Sequence, residues 1–493
     1  MKKIALRTAI PLPGMEGRFE EYVMHLSTTL GHADRVKPFV NYCAGLLLPG
    51  ERKSIEPMAA VVAPDRVSST HQMMHHFVAN ADWSDEALES AVATYVLPKM
   101  EAQEPIVAWI VDDTCIPKKG EHSVGVARQY CGQLGKQDNC QVVVSTSVAN
   151  HYASLPVAYR LFLHEDWTKD EKKRKEAGIP EQIPFKSKTK IALDQLRALK
   201  ERPIARGIVL SDPGYGNESK FREGVRELGL TYILGISKNT KVWIRGQGPL
   251  PPVQHSGKRR RPKRLRPDPE HPPVSVVELA RTIPDSDWRL VPWREGTNKG
   301  LASRFARVRV REAHRYYNKS ELPSEEWLLI EWPEGEEEPT KYWLSTLPEA
   351  IGLKDMVDRA KLRWRVDRDY QELKQELGLG HFEGRGWRGF HHHGALCIAA
   401  YGFLVAERSA FPPSGAGGDP AFRSPRVPQG FRPRGSAGPH RKAHASLYRD
   451  PQKETHGRFG AHPVPVSVLP STKNEFSKNQ ESSKDNETQF MTQ

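Results

Sequence analysis

Two short apolar runs, each ending in aspartate, constrain this chain more than any other feature. IVAWIVDDT (106–114) and GIVLSD (207–212) are rich in β-branched residues and stop at acidic side chains. This is the pattern of a buried strand whose C-terminal end opens on a site. Between them, QVVVSTSVANH and LPVAYRLFLH predict two strands of an antiparallel hairpin, and residues 186–200 predict a helix. After GIVLSD come a PGYGNES turn, a helix near 218–228 and the strand TYILGIS. The intervening CIPKKGEHSVGVARQYCGQLGK is polar and glycine-rich, so it reads as a loop. The order is strand, strand, strand, helix, strand, helix, strand. That order predicts a mixed α/β sheet with acids at the ends of its first and fourth strands.

The flanks differ in character. Residues 1–103 read as helical: Phe19, Tyr22, Val23 and Leu26 recur at helical spacing, and Ser84 stands where it can cap a helix over DEALESAVATYVL. A DNA-binding role and a plain scaffold both suit such a domain. Residues 104–239 form the first part of the α/β core, and 240–348 read as a β-rich insertion. Within the insertion, KRRRPKRLRP (258–267), which includes Lys258, Arg259, Arg260 and Arg261, is a dense basic run broken by proline. In RFARVRVREAH, Val308 and Val310 alternate with Arg307, Arg309 and Arg311, giving a basic face that either lies on phosphates or is solvated. Residues 349–410 complete the core. Residues 411–493 are too poor in apolar side chains to fold alone and are expected to be a disordered tail.

A third acid lies in KLRWRVDRDYQELKQEL (361–377). Read as a helix, this segment puts Arg363, Asp367, Tyr370 and Lys374 within an arc of roughly 60°, beside an apolar stripe of Leu362, Val366, Leu373 and Leu377. If sheet and helix pack together, Asp112 or its neighbour Asp113, Asp212 and Asp367 converge. Carboxylates clustered without cysteine or histidine ligands suit hard cations such as Mg²⁺ or Mn²⁺. Two such ions would activate a water or a 3′-hydroxyl and stabilise the leaving oxygen of a phosphodiester. The adjacent His391, His392 and His393 cannot all face one metal in regular structure, so a substrate-facing or helix-capping role is expected of them.

Net charge fits a polyanionic partner: 73 lysines and arginines against 60 acids leave +13. Five scattered cysteines with no CxxC pair fit a reducing compartment and argue against a disulfide framework or a zinc module. Arg7, the prolines and Glu16 interrupt any N-terminal apolar stretch, and no uncharged run is long enough to span a bilayer. A cytoplasmic protein with no membrane partner is expected.

Taken together, the strand-DDT motif, the strand-SDPGYG motif and RWRVDRDYQELKQELGLGHFEGRGWRGFHHH resemble the DDE transposases of bacterial insertion sequences, of the cut-and-paste type with a β-rich insertion. The likeness runs from about Phe19 to Arg408. It implies a ribonuclease H-like core and catalytic metal ligands at Asp112, Asp212 and Asp367. The family's D-x-T form selects Asp112 with Thr114, with Asp113 as the alternative. In the family's Y-x2-R-x3-E-x6-K pattern, Arg363, Asp367 and Lys374 fill the R, E and K positions. Ala360 replaces the tyrosine, and Asp367 is one methylene shorter than glutamate. The resemblance further implies Mg²⁺ (with Mn²⁺ accepted), binding of the element's inverted repeats, cleavage, joining of 3′ ends to target DNA, and a homodimeric, nucleoid-associated assembly. Arg363 and Lys374 would contact DNA phosphates, as would the run Lys258, Arg259, Arg260 and Arg261. Two rivals are a repurposed DNA-binding protein that cuts poorly and a nuclease without strand transfer.

Overall fold

The computed structural model describes residues 14–252, 264–294 and 301–411. Five helices come first: α1 (Met15–Ser27), α2 (Val36–Leu47), α3 (Ile55–Val62), α4 (Val67–Ala79) and α5 (Asp85–Glu101). The Ser84 side chain accepts the Ala87 amide and caps α5. Then follow β1 (Ala108–Pro117), β2 (Ala127–Cys131), β3 (Lys136–Ala149), β4 (Ser154–Phe162), α6 (Glu165–Lys169), α7 (Glu171–Ala177), α8 (Lys188–Lys200), β5 (Ile208–Ser211), α9 (Pro213–Gly216), α10 (Ser219–Glu227) and β6 (Tyr232–Ile236). The β-rich stretch holds β7 (Lys241–Ile244), β8 (Val274–Ser275), α11 (Val276–Arg281), β9 (Arg289–Arg294), β10 (Leu301–Glu312), β11 (Glu325–Pro333) and β12 (Lys341–Ser345). Three helices end the described residues: α12 (Leu353–Lys361), α13 (Trp364–Gln375) and α14 (Trp387–Ala410).

All twelve strands of the described residues belong to one mixed sheet, with the path β2-β3-β1-β5-β6-β12-β11-β10-β7-β8; β4 pairs with β3 and β9 with β10. The parallel pairs are β1–β5 and β5–β6. The remaining ladders are antiparallel, including β6–β12, which joins the β-rich stretch edge-on to the core sheet. That stretch is therefore a continuation of the sheet. Its alternating pattern also has a different use from either expectation. Arg307 donates to the Ile351 carbonyl, Arg309 to Glu325 and Arg311 to Pro323, while Arg307 and Arg309 lie over the Trp327 ring at 4.4 and 5.1 Å. The basic face is occupied by internal contacts.

Two sequence readings of the chain's path need correction. The supposed loop 115–136 contains the end of β1 and all of β2, because Thr114 to Pro117 stay paired with β3 after the parallel neighbour β5 has ended at the level of Ile110. The helix expected over 361–377 is broken at Leu362–Arg363. The break separates two anchors: Lys361 Nζ sits 2.6 Å from both Glu331 carboxylate oxygens, and Arg363 reaches the end of β1.

The core is continuous from the N-terminal helices to the sheet, and α14 is its hub. Tyr22 donates to the Ala399 carbonyl at 2.7 Å, and Arg18 Nε lies 2.9 Å from Glu407. The three histidines, expected to be substrate-facing or helix-capping, are buried inside α14 instead. His391 lies between Trp387 O and the Leu161 amide. His392 stacks on Trp83 between the carbonyls of Val78 and Trp83. His393 is placed to accept from the Tyr42 hydroxyl (2.8 Å) and donate to Gly378 O (3.1 Å), a pairing that suits a neutral ring. Burial lowers His391 well below the usual histidine range and His393 to about 4. The unfolded chain therefore binds protons that the folded chain refuses. The histidine contribution to stability is present above about pH 6.5 and is lost as pH drops toward 4, while the raised carboxyls of Asp112 and Asp369 act in the opposite sense over the same window. His393 alone accounts for about 3 kcal/mol of that loss. The urea midpoint of His393→Gln should fall less steeply between about pH 6.5 and 4 than that of the unaltered protein; identical slopes would show that the ring accepts a proton in place.

Candidate active site

The site forms where β1 outruns its parallel neighbour. Parallel pairing orients the β1 and β5 C-terminal ends toward one sheet edge, so Asp112–Asp113 and Asp212 emerge side by side. Asp212 is the N-cap of α9, its carboxylate facing the Tyr215 amide at 3.4 Å. The turn is pressed onto β6: a Cβ on Gly216 would come within 1.9 Å of the Gly235 carbonyl oxygen, so only glycine fits there.

Successive side chains of a strand point to opposite faces, and this separates the two adjacent aspartates. Asp112 Oδ2 accepts from Arg363 Nη1 at 2.7 Å and Oδ1 from the Asp113 amide at 2.9 Å. Asp113 Oδ2 is paired with Lys188 Nζ of α8 at 2.7 Å. Asp367 occupies the first turn of α13, where the helix dipole favours negative charge, and its Oδ2 is 3.7 Å from Arg363 Nη2. One guanidinium thus spans Asp112 and Asp367. Burial raises Asp112 to about 7, against the pull of Arg363 and with the charges of Asp212, Asp367 and Asp113 adding to the rise. Asp367 is raised by its surroundings and by Asp212, again with Arg363 opposing. The three carboxylates feel one another, and a single arginine compensates them incompletely.

A cavity of about 270 Å³ is lined by Asp112, Asp113, Thr114, Gln133, Asp367 and Lys374 among others. Lys374, in the last turn of α13, is lowered by burial, opposed by the neighbouring Cys115 and Cys131 thiols and by Asp112. The structure thus brings Asp112, Asp113, Asp367, Arg363 and Lys374 together and sets Asp212 beside them, while Lys258, Arg259, Arg260 and Arg261 lie outside the described residues. Among the described residues no three acidic, histidine or cysteine side chains stand close enough to form a ready-made metal cage. The donors fit a hard cation by type, being all carboxylate oxygen and short of positive charge. Arg363 holds the place between two of them.

Three contributors escaped sequence reasoning. Lys188 carried no signal beyond its place at a helix start. Gln133 lay in the supposed loop. Asp369 is buried on the opposite face of α13 from Asp367, where Ser154 Oγ (2.6 Å) and the Tyr401 hydroxyl (2.8 Å) hydrogen-bond it and burial raises it to about 6. Its placement two residues from Asp367, about 200° around a helix, was the available clue.

A family profile described as DDE superfamily endonuclease matches residues 25–300, more than half of the chain and including Asp112 and Asp212. The probable transposase for insertion sequence element IS701 of Microchaete diplosiphon is 27% identical over 226 residues. That likeness covers 46% of this chain and 55% of the relative, so the chain matches about half of that protein's length. With a profile match over more than half of its length, the chain belongs to the DDE superfamily of endonucleases.

Proposed function

We propose that the protein is a transposase that binds the terminal inverted repeats of an insertion sequence, cuts the DNA there and joins the 3′ ends to target DNA as a homodimer. The observation that carries this reading is the mutual electrostatic reach of Asp112, Asp212 and Asp367, with Arg363 bridging Asp112 and Asp367 beside a cleft lined by Lys374. Asp112, Asp212 and Asp367 would hold Mg²⁺ or Mn²⁺, which would supply Lewis-acid stabilisation of the scissile phosphate and a more acidic attacking water or hydroxyl. Lys188 neutralises Asp113 and leaves Asp112 as the acid facing α13. The α9 turn fixes Asp212 through its cap. Arg363, released from Asp112 and Asp367, offers a planar fork to a phosphate, and Lys374 a point charge at the far end of the cleft. The run Lys258–Arg261 would add sequence-independent phosphate affinity.

The deciding experiment incubates the purified protein with its element's ends and Mg²⁺ or Mn²⁺. Cutting with joining supports transposition, and cutting alone makes it a nuclease. A bound but uncut complex favours the repurposed DNA-binding protein, a reading supported by the shortened acid and by Arg363 lying between Asp112 and Asp367. Asp367 bears on the same choice. Lengthening it to glutamate should bring the carboxylate past Arg363 toward Asp112 and raise the Mg²⁺-dependent cleavage rate, by up to about 10²-fold. Mn²⁺ should narrow the gap. A slower Asp367→Glu protein in Mg²⁺ would mean that aspartate is the fitted ligand.

A further inference from the structure

Three of the five scattered cysteines meet beside the cleft. Cys115 follows Thr114 on β1, Cys131 ends β2, Cys140 lies on β3 between them, and all three are buried with Val142 in a small cluster of their own. The thiols of Cys115 and Cys131 are 3.2 Å apart, and the Gln133 amide points at Cys115 Sγ from 3.4 Å. Register makes this contact unusual. Cys131 is opposite Lys136 on β3, whereas Cys115 is opposite Val142. Six residues of extended strand cover about 20 Å, so the sulfurs meet only because the β2–β3 hairpin curls back over β1. Its tip thereby carries Gln133 onto the lip of the cavity that holds Asp112, Asp113, Asp367 and Lys374.

We propose that Cys115 and Cys131 form a peroxide-sensitive thiol pair whose disulfide clasps this hairpin tip shut over the cleft. The covalent step consumes one hydroperoxide. One thiol loses its proton and attacks the peroxide, giving a sulfenic acid and water; the second thiol displaces that hydroxyl, giving the disulfide and a second water. Two sulfurs are oxidised and one peroxide is reduced. Cys115 follows Thr114 in the chain and its sulfur faces the Gln133 amide, and both of those residues line the cavity. Burial pushes the Cys131 thiol up, so the oxidation is expected to be slow. Disulfide geometry requires the sulfurs to close by roughly 1 Å more, a small movement for a glycine-flanked tip. Gln133 at the tip forms part of the cavity wall, so lifting of the tip would widen the cleft for a DNA strand. The disulfide prevents that lift. Its effect on cleavage rests on the endonuclease reading above, whereas its formation does not.

The test treats the full-length protein with hydrogen peroxide and then with dithiothreitol. Expected are a mass loss of two hydrogens, a linked peptide pair containing Cys115 and Cys131, and full reversal by the thiol. Cleavage of element ends should fall roughly tenfold or more in the oxidised protein, and Cys131→Ser should cleave as the untreated protein does and resist peroxide. A disulfide mapped to Cys140, or no mass loss from the wild-type protein, overturns the assignment without any variant having to fold. A correctly mapped disulfide that leaves cleavage unchanged overturns the clasp. If the untreated protein does not cut, the endonuclease reading fails while peptide mapping still decides the thiol pair.

Discussion

Asp112→Asn and Asp212→Ala are each expected to lower strand cleavage by roughly 10³-fold or more while DNA affinity changes only a few-fold. Asparagine keeps the shape of Asp112 and can still touch Arg363, but it removes the charge that a cation would need. The Asp212 change removes both a carboxylate and the cap of the α9 turn. Affinity should survive because phosphate contacts are spread over many basic side chains. Gel-shift titrations and single-turnover cleavage of labelled ends, run on the same preparations, separate the two effects. Asp113→Asn is the control: paired with Lys188, it should lose much less activity than Asp112→Asn. An inverted order would make Asp113 the first acid.

The largest stability effect is expected at a pair far from any sequence motif. Arg222 of α10 and Glu312 at the end of β10 form a salt bridge with both side chains 1% exposed, and Arg222 also donates to the Gly216 carbonyl. Glu312→Ala leaves a guanidinium buried without its counter-charge and should cost about 3–5 kcal/mol. Because Gly216 belongs to the turn that holds Asp212, cleavage at permissive temperature should decline as well. The pair is not fully satisfied: among the described residues Arg222 Nε and Glu312 Oε2 lack hydrogen-bond partners. Replacing both, as Arg222→Met with Glu312→Leu, should therefore recover most of the loss. Denaturant unfolding of the three proteins checks this. A single substitution costing under about 1 kcal/mol would mean that water reaches the site.

Local chemistry made Asp212 legible at the end of β5, whereas Asp112 lies inside β1, which runs on to Pro117. A buried strand leaves a short β-branched run, and an aspartate at its end has few purposes. The α13 acid was legible through helical spacing, although the kink at Leu362–Arg363 was hidden because Lys361 and Arg363 are pulled apart by Glu331 and Asp112, both distant in sequence. The same holds for the histidines. Adjacent polar residues read as exposed until Tyr42, Val78 and Leu161 arrive to satisfy them from other elements. Cys115 and Cys131 looked unrelated because their contact depends on the curl of a hairpin whose second strand was only partly recognised.

The ladder between β6 and β12 has a consequence for how the protein is made. Ile236 pairs with Tyr342, more than a hundred residues further on. On the ribosome, at about 5–20 residues per second, the outer edge of β6 waits several seconds for its partner. The helix bearing Asp367 emerges later still. A chain stalled between β6 and α13 would carry Asp112 and Asp212 without Asp367, and under the proposed function it would bind DNA without severing a strand. Completion of synthesis would thus act as a safety catch, and prematurely terminated products would compete for the same DNA without cutting it.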